Sequence, residues 1–340
     1  MTGAARTAPP ALRRARDVVG PALRDALDGL APEIRRVVGY HFGFLDAEGR
    51  PSSGDGGKSV RPALALLSAE AVRSPGEVAV PGAVAVELVH NFSLLHDDVM
   101  DHDLERRHRP TAWALFGVGQ AIVTGDALMV LAQDLLTEPS SPERTRAARA
   151  LGRATAAMIS GQAEDLSFES RLDVSVEECS RMIANKTGAL LSCAASIGAI
   201  LGGADEATVG ALADFGLHLG LAFQAVDDIL GMWGHPEVTG KPVASDLRAH
   251  KKTLPVVAAL ASSGSDRDRL FEVLSNGAMS EEKLALAARL VERCGGKARS
   301  QAEAERQLAE ALDALRRVPL DPSARGELQE IAEFVTARDF

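Results

Sequence analysis

Two acidic clusters carry the most chemical information in this 340-residue chain: His96-Asp97-Asp98-Val99-Met100-Asp101, followed by Arg106-Arg107, and Gln224-Ala225-Val226-Asp227-Asp228-Ile229-Leu230-Gly231. Each closes an apolar stretch with helical periodicity, so the carboxylates come off the ends of two otherwise apolar helices. At about 3.6 residues per turn, Asp97 and Asp101 project from nearly the same face, one turn apart. Like charges placed side by side repel unless a cation lies between them. A hard divalent ion is the natural partner, because Mg²⁺ takes oxygens from a few carboxylates and completes its shell with water and phosphate. A metal-held diphosphate is therefore the first chemistry to expect. One Asp-Asp pair alone reads equally well as a cap or a solvated turn; two pairs inside apolar helices, with basic partners, weigh against that.

The elements that position these groups read as helices. The chain is 46% hydrophobic and only 4% aromatic, with Ala and Leu prominent, a balance that favours helices packed on helices over sheets. Strands are hard to find. The expected fold is all-α: a single large helical bundle with a central cavity over residues 11–340, after a disordered start over residues 1–10. A helix is predicted from Ala11 to Val38, and the Gly-rich stretch from Asp46 to Lys58 reads as a loop before a helix opening near Val60, where Pro62 suits the first turn. Further periodic blocks cover about 82–99, 111–136, 143–164, 175–202, 205–231, 253–263, 280–294 and 300–315. Between Gly231 and Thr253 the texture changes: Trp233, Gly234, Pro236, Gly240 and Pro242 precede Arg248, His250, Lys251 and Lys252. A broken, basic segment after an acidic helix end reads as a lid over about residues 232–252. A solvated connection is the plainer alternative, disfavoured because basic residues gather here in an acidic protein.

Net charge is −10, so no global field attracts nucleic acid, and a phosphate-bearing ligand must be held by local basic groups and metal. Cys179, Cys193 and Cys294 lack metal-ligand spacing and read as inert helix residues in a reducing compartment. The first residues hold no apolar signal core, and no run approaches the roughly 20 apolar residues of a membrane span. A soluble, cytoplasmic protein acting on a small anionic substrate is expected.

Gly56-Gly57-Lys58-Ser59-Val60-Arg61-Pro62, Glu87-Leu88-Val89-His90, Asp97-Asp98-Val99-Met100-Asp101, Arg106-Arg107-His108-Arg109-Pro110-Thr111, Lys186-Thr187, Phe223-Gln224 and Asp227-Asp228 follow one another in this order. Together they resemble the trans-polyprenyl diphosphate synthases, the farnesyl and geranylgeranyl diphosphate synthase family, over roughly residues 20–320. The resemblance implies a transferase that joins isopentenyl diphosphate to dimethylallyl, geranyl or farnesyl diphosphate. Diphosphate leaves, a carbocation forms, the double bond of isopentenyl diphosphate attacks it, and a proton is lost. The resemblance also implies about three Mg²⁺ ions, or Mn²⁺ in their place, with Asp97 and Asp101 ligating two and Asp227 another. Asp98 and Asp228 would support from the outer shell. In the same way Arg106, Lys186, Thr187, Gln224, Lys241 and Lys251 are implied at the allylic diphosphate, and Lys58, Arg61, His90 and Arg107 at isopentenyl diphosphate. Phe92 and Ser93 stand where the family stops the growing tail, and a single aromatic there implies a short, geranylgeranyl product. A homodimer is implied as well.

Taken singly, these residues have plainer readings: Lys186 as a snorkelling surface lysine, His90 as a satisfied core histidine, Phe92 as ordinary packing. His90 lies two turns before Asp97 on one face, so the two can share a cavity. Two departures from the family pattern stand out. Gly231 replaces the last Asp of the second cluster, with His235 close to it, and His108 replaces a Gly. A class I terpene cyclase is the rival enzyme; it would need no second diphosphate site and would line its pocket with aromatics. A non-catalytic partner subunit that binds prenyl diphosphates is the rival of another class, supported only by the altered second cluster.

Overall fold

Ala, Leu and other good helix formers carry their periodicity into helices along the chain. These are α1 (Pro10–Asp28), α2 (Pro32–His41), α3 (Val60–Ala71), α4 (Val80–Met100), α5 (Ala112–Phe116), α6 (Val118–Thr137), α7 (Pro142–Phe168), α8 (Val176–Ile183), α9 (Ala189–Leu201) and α10 (Glu206–Trp233). They continue as α11 (Ser245–Arg248), α12 (Leu254–Leu260), α13 (Ser265–Ser275), α14 (Glu281–Arg293), α15 (Gly296–Ala314) and α16 (Pro322–Thr336). The computed structural model describes residues 7–52, 57–234, 244–275 and 279–337. Of the expected disordered start, residues 1–6 lie outside the described residues, and Pro10 already opens a helix.

α9 is apolar almost all round, and a helix of that kind belongs in an interior. It packs against α3, α4, α7 and α10, burying Leu190, Leu191, Ile197 and Ile200. α4 lies on α6, and α10 lies on α9 and α15. The helices that end in acid are thus fixed along their apolar lengths, which leaves their C-terminal ends at a shared cavity.

Several boundaries differ from the sequence reading. The stretch from Ala11 to Val38 is two helices, because Gly29 ends the first and Pro32 starts the second. Gly117 at φ 89° divides α5 from α6. α10 runs on through Met232 and Trp233, so the first two residues of the expected lid are helix; residues 235–243, Lys241 and His235 among them, lie outside the described residues. α13 and α16 were not anticipated. α16 is announced only by its cap, Asp321 Oδ1 accepting from the amides of Ser323 and Ala324 at 3.0 and 3.2 Å, with Pro322 next.

A small hairpin also forms, Glu105–Arg106 (β1) against Arg109–Pro110 (β2). Its two turn residues, Arg107 and His108, both have positive φ, 53° and 59°. A two-residue turn of this hand favours Gly, which is the physical content of the His108 departure. The expectation about membrane spans needs correction too. Gly76–Met100, Val176–Leu201 and Glu206–Trp233 are each long and apolar enough to cross a membrane. Their apolarity serves the interior of the bundle instead, with 61%, 67% and 56% of the most apolar stretch buried.

Candidate active site

The ends of α4, α7 and α10 and the π-helical turn joining α8 to α9 surround a cavity of about 690 Å³. Asp97, Asp101, Asp165, Asp227, Asp228 and Asp246 line it, with Lys186, Lys251, Thr187 and Gln224 among them. Both acidic clusters therefore face one space. Burial pushes the Asp97 carboxyl up to about 6, and the neighbouring Asp101 charge adds to this while Lys186 opposes it. Asp228 is pushed up to about 8 by burial, against the hydrogen bonds it accepts from Gln224 and the Leu254 amide. A cation bound beside Asp97 would favour its charged form. Among the described residues no three His, Cys, Asp or Glu side chains form a ready cage for one ion. That suits Mg²⁺, which commonly takes one or two carboxylates and relies on water and substrate phosphate for the rest.

The π-helical turn, Ala184–Gly188, presents Lys186 and Thr187 to this cavity. Lys186 Nζ donates to Asp165 Oδ2 at 2.6 Å. Lys251 Nζ donates to Asp101 Oδ1 at 2.8 Å and lies 3.2 Å from Asp165 Oδ2. Asp165 is buried, and although burial alone would raise its pKa, the two lysines pull it below the usual carboxylate value. Thr187 Oγ1 donates to Gln224 Oε1 at 2.8 Å; Gln224 Nε2 donates to Asp228 Oδ1 at 2.8 Å; the Leu254 amide donates to Asp228 Oδ2 at 2.9 Å. This relay fixes the amide orientation of Gln224 and engages both oxygens of Asp228 with protein donors.

A second, smaller pocket opens beside the first and shares Arg61, His90 and Phe223 with it. Lys58, Arg61, His90 and Arg107 all line this pocket, with Gly57, Glu87 and Val335. Gly57, at φ 99°, lets the guanidinium of Arg107 come close, since a Cβ there would stand 2.9 Å from Nη2. Arg106 goes elsewhere: its Nε and Nη2 both lie 2.7 Å from Asp98 Oδ1. Neither Arg106 nor Asp98 lines the large cavity, so an anion there meets Lys186 and Lys251 before it meets Arg106.

Four residues bear on this region that the sequence reading passed over: Asp165, Gln162, His41 and Asp246. Gln162 and Asp165 stand three apart on α7, a spacing that puts both on one face and was available as a signal. His41 had none, because tertiary packing alone brings α2 to Arg106 and Arg107. Burial, followed by those two arginines, pulls His41 down to about 3, and burial with Arg61 and Arg107 holds His90 well below the usual imidazole value. The unfolded chain takes up a proton on each near pH 6.5 and the folded chain does not. The contribution of these two histidines is therefore full above about pH 6.5 and falls as the pH drops below it, while the raised carboxyls of Asp97 and Asp228 contribute with the opposite sign. The upper limit is about 2.7 kcal/mol per pH unit for the pair of histidines. The difference between the parent and His41→Gln in urea unfolding at about pH 7 and about pH 5 measures this, and the variant should lose roughly half of the histidine contribution.

A family profile described as polyprenyl synthetase matches residues 50–291. The chain belongs to the polyprenyl synthetase family. It is 46% identical to a (2E,6E)-farnesyl diphosphate synthase of Mycobacterium tuberculosis (strain ATCC 25618 / H37Rv), with 97% of this chain and 93% of that one covered. It is 43% identical to a geranylgeranyl diphosphate synthase of the same organism, over 89% of this chain and 87% of the other. The crystal structure of a polyprenyl synthetase from Streptomyces coelicolor A3(2) superposes with a TM-score of 0.92 at 54% identity, covering 96% of this chain and 99% of that one. This polyprenyl synthetase is accordingly an all-α transferase of isoprenoid biosynthesis, and its activity is prenyl chain elongation.

The departure at Gly231 acquires a geometric meaning in this synthetase. A Cβ at Gly231 would overlap the carboxylate of Asp246, which reaches the same spot from α11. Where the cluster lacks its last acid, an acid from another element stands.

Proposed function

We propose that the enzyme condenses isopentenyl diphosphate with an allylic diphosphate to give geranylgeranyl diphosphate, with Mg²⁺ as its working ion. The observation that carries this reading is the pairing of two joined pockets of opposite character, one lined by acids and lysines, the other by Lys58, Arg61, His90 and Arg107. Asp97, Asp101 and Asp227 are the residues that would hold the metal, and the metal neutralises the charge that grows on the leaving diphosphate. Lys186 and Lys251 add two positive charges on the same side, held in place by Asp165. Thr187 and Gln224, both lining this cavity, would give a developing cation dipoles near it but no strong nucleophile to trap it. The basic pocket holds the second diphosphate, so that the isopentenyl double bond faces the carbon from which diphosphate departs. One bond to oxygen breaks, one carbon–carbon bond forms, and a proton leaves the new chain.

The tail runs down the cavity from Asp97 toward Phe92, which is buried, and Ser93, whose hydroxyl is turned back to the His90 carbonyl at 2.8 Å. Apart from Phe92 and Phe223, the described lining is aliphatic or polar, which does not favour the cyclase reading. Mass analysis of products from dimethylallyl, geranyl and farnesyl diphosphate with isopentenyl diphosphate, with Mg²⁺ and with chelator, tests the proposal. Geranylgeranyl diphosphate is expected from each starter, and none with chelator. A cyclised hydrocarbon, or no turnover with any starter, overturns it.

Asp246 is part of this proposal as the stand-in for the acid missing at position 231. Asp246→Ala should weaken Mg²⁺ binding, measured calorimetrically with inorganic diphosphate, by about tenfold. Gly231→Asp alone should destabilise the fold by overlap and repulsion, whereas the double variant should regain most of the lost affinity. Independent, additive effects would refute the substitution of one acid for the other.

A homodimer and a cytoplasmic setting complete the proposal. Leu115, Val118, Ile122, Val123, Val130 and Ile159 are large apolar side chains left exposed, most of them along α6. Cys179 and Cys193 are free, buried thiols, both pushed upward in pKa by burial, as suits a reducing compartment.

A further inference from the structure

We infer that His96, seated on Gly125, is a specificity-determining residue that sets product length by fixing the ring of Phe92. The inference rests on the reading of Phe92 as the stop for the prenyl tail. His96 follows Phe92 by one helical turn, so the two side chains meet on one face of α4. Their rings stand edge to face, with centroids 4.9 Å apart and planes at 74°. The His96 ring is tied in turn to α6: Nε2 lies 3.1 Å from the Ile122 carbonyl oxygen and 3.7 Å from Asp126 Oδ1. Gly125 lies directly against it, since a Cβ there would overlap the ring at Nε2 and Cδ2. Phe92 and His96 both line the cavity that holds the carboxylates, and so do Asp126 and Met129 of α6.

The stop is therefore a stack with a foundation. A lone Phe on a helix can change rotamer and let a longer tail pass. With His96 behind it, locked to a backbone carbonyl of the neighbouring helix, the Phe92 ring has little room to turn. The absent side chain at Gly125 is what lets His96 lie back against α6 and out of the path of the tail. Chain length then depends on the α4–α6 contact as well as on the residue that touches the tail.

The two sides of the contact make opposite predictions. His96→Ala removes the support and its ring volume, so the share of product longer by one isoprene unit should rise at least tenfold. His96→Phe keeps a ring but loses the tie to Ile122, and should lengthen products to a smaller degree. Gly125→Ala pushes the His96 ring into the cavity and should shorten the principal product by one unit. Joining it to His96→Ala should abolish that shortening. Mass analysis of products from dimethylallyl and farnesyl diphosphate, beside thermal melts and first-condensation rates, reads all of these. A role in stability alone would lower turnover with the product distribution unchanged, and that outcome overturns the inference if Phe92→Ala lengthens the product. Should Phe92→Ala leave the product as it was, the Phe92 reading falls first, and the inference with it.

Discussion

Replacing Asp97 by Asn is expected to lower kcat for condensation by about 10³-fold, the scale of losing one preorganised charge-stabilising group at a reacting centre. KM for isopentenyl diphosphate should change by less than about threefold, because Lys58 and Arg107 line the second pocket, which Asp97 does not. Stability should move the other way. Burial raises the Asp97 carboxyl to about 6, well above its unfolded value, so ionising it costs the folded protein free energy. The Asp97 contribution to the stability of the metal-free enzyme therefore falls as the pH rises from about 4 through about 6, and the neutral Asn avoids that loss. About 1 kcal/mol of stabilisation at neutral pH is expected, after discount for the partly open cavity. The same sign makes metal binding release a proton below about pH 6, with affinity falling as pH falls. Steady-state kinetics with urea unfolding in chelator tests both halves. A variant that keeps a tenth of the wild-type kcat, or that is less stable than the parent, would remove Asp97 from its assigned place.

The second large effect belongs to Asp165, a residue whose importance comes from packing. Asp165→Ala leaves Lys186 and Lys251 close together without the carboxylate that lies 2.6 and 3.2 Å from them. Breaking a buried pair by removing one partner costs about 3 kcal/mol or more, mostly the penalty of the charge left behind. Lys251 retains Asp101 at 2.8 Å, so Lys186 bears most of that penalty. Urea unfolding should register about 3 kcal/mol, and inorganic diphosphate, which can replace the lost negative charge, should restore much of the melting temperature. Destabilisation below about 1 kcal/mol, or no recovery with diphosphate, would show that the two lysines do not depend on Asp165.

These two aspartates mark the limits of reading from sequence. Asp97 was legible because its neighbours made it so: carboxylates one turn apart at the end of an apolar helix have few structural uses. Asp165 had only the weak signal of its spacing from Gln162, and its lysine partners, 21 and 86 residues away, give it meaning. Arg106 shows the reverse. The sequence brought it to the allylic diphosphate by resemblance, whereas the hairpin geometry turns its guanidinium onto Asp98.

Local periodicity determined the helical class and the two acid-bearing helices, because each depends on residues within a few turns of one another, whereas Lys58, Arg61, His90 and Arg107 were grouped only by resemblance. Tertiary structure alone decided that α2 supplies His41, that α7 supplies Asp165, that Asp246 fills the space above Gly231, and that Gly125 makes room for His96. Those placements depend on how closely two helices approach, and that distance is set by the whole packed interior, which no short stretch of chain encodes.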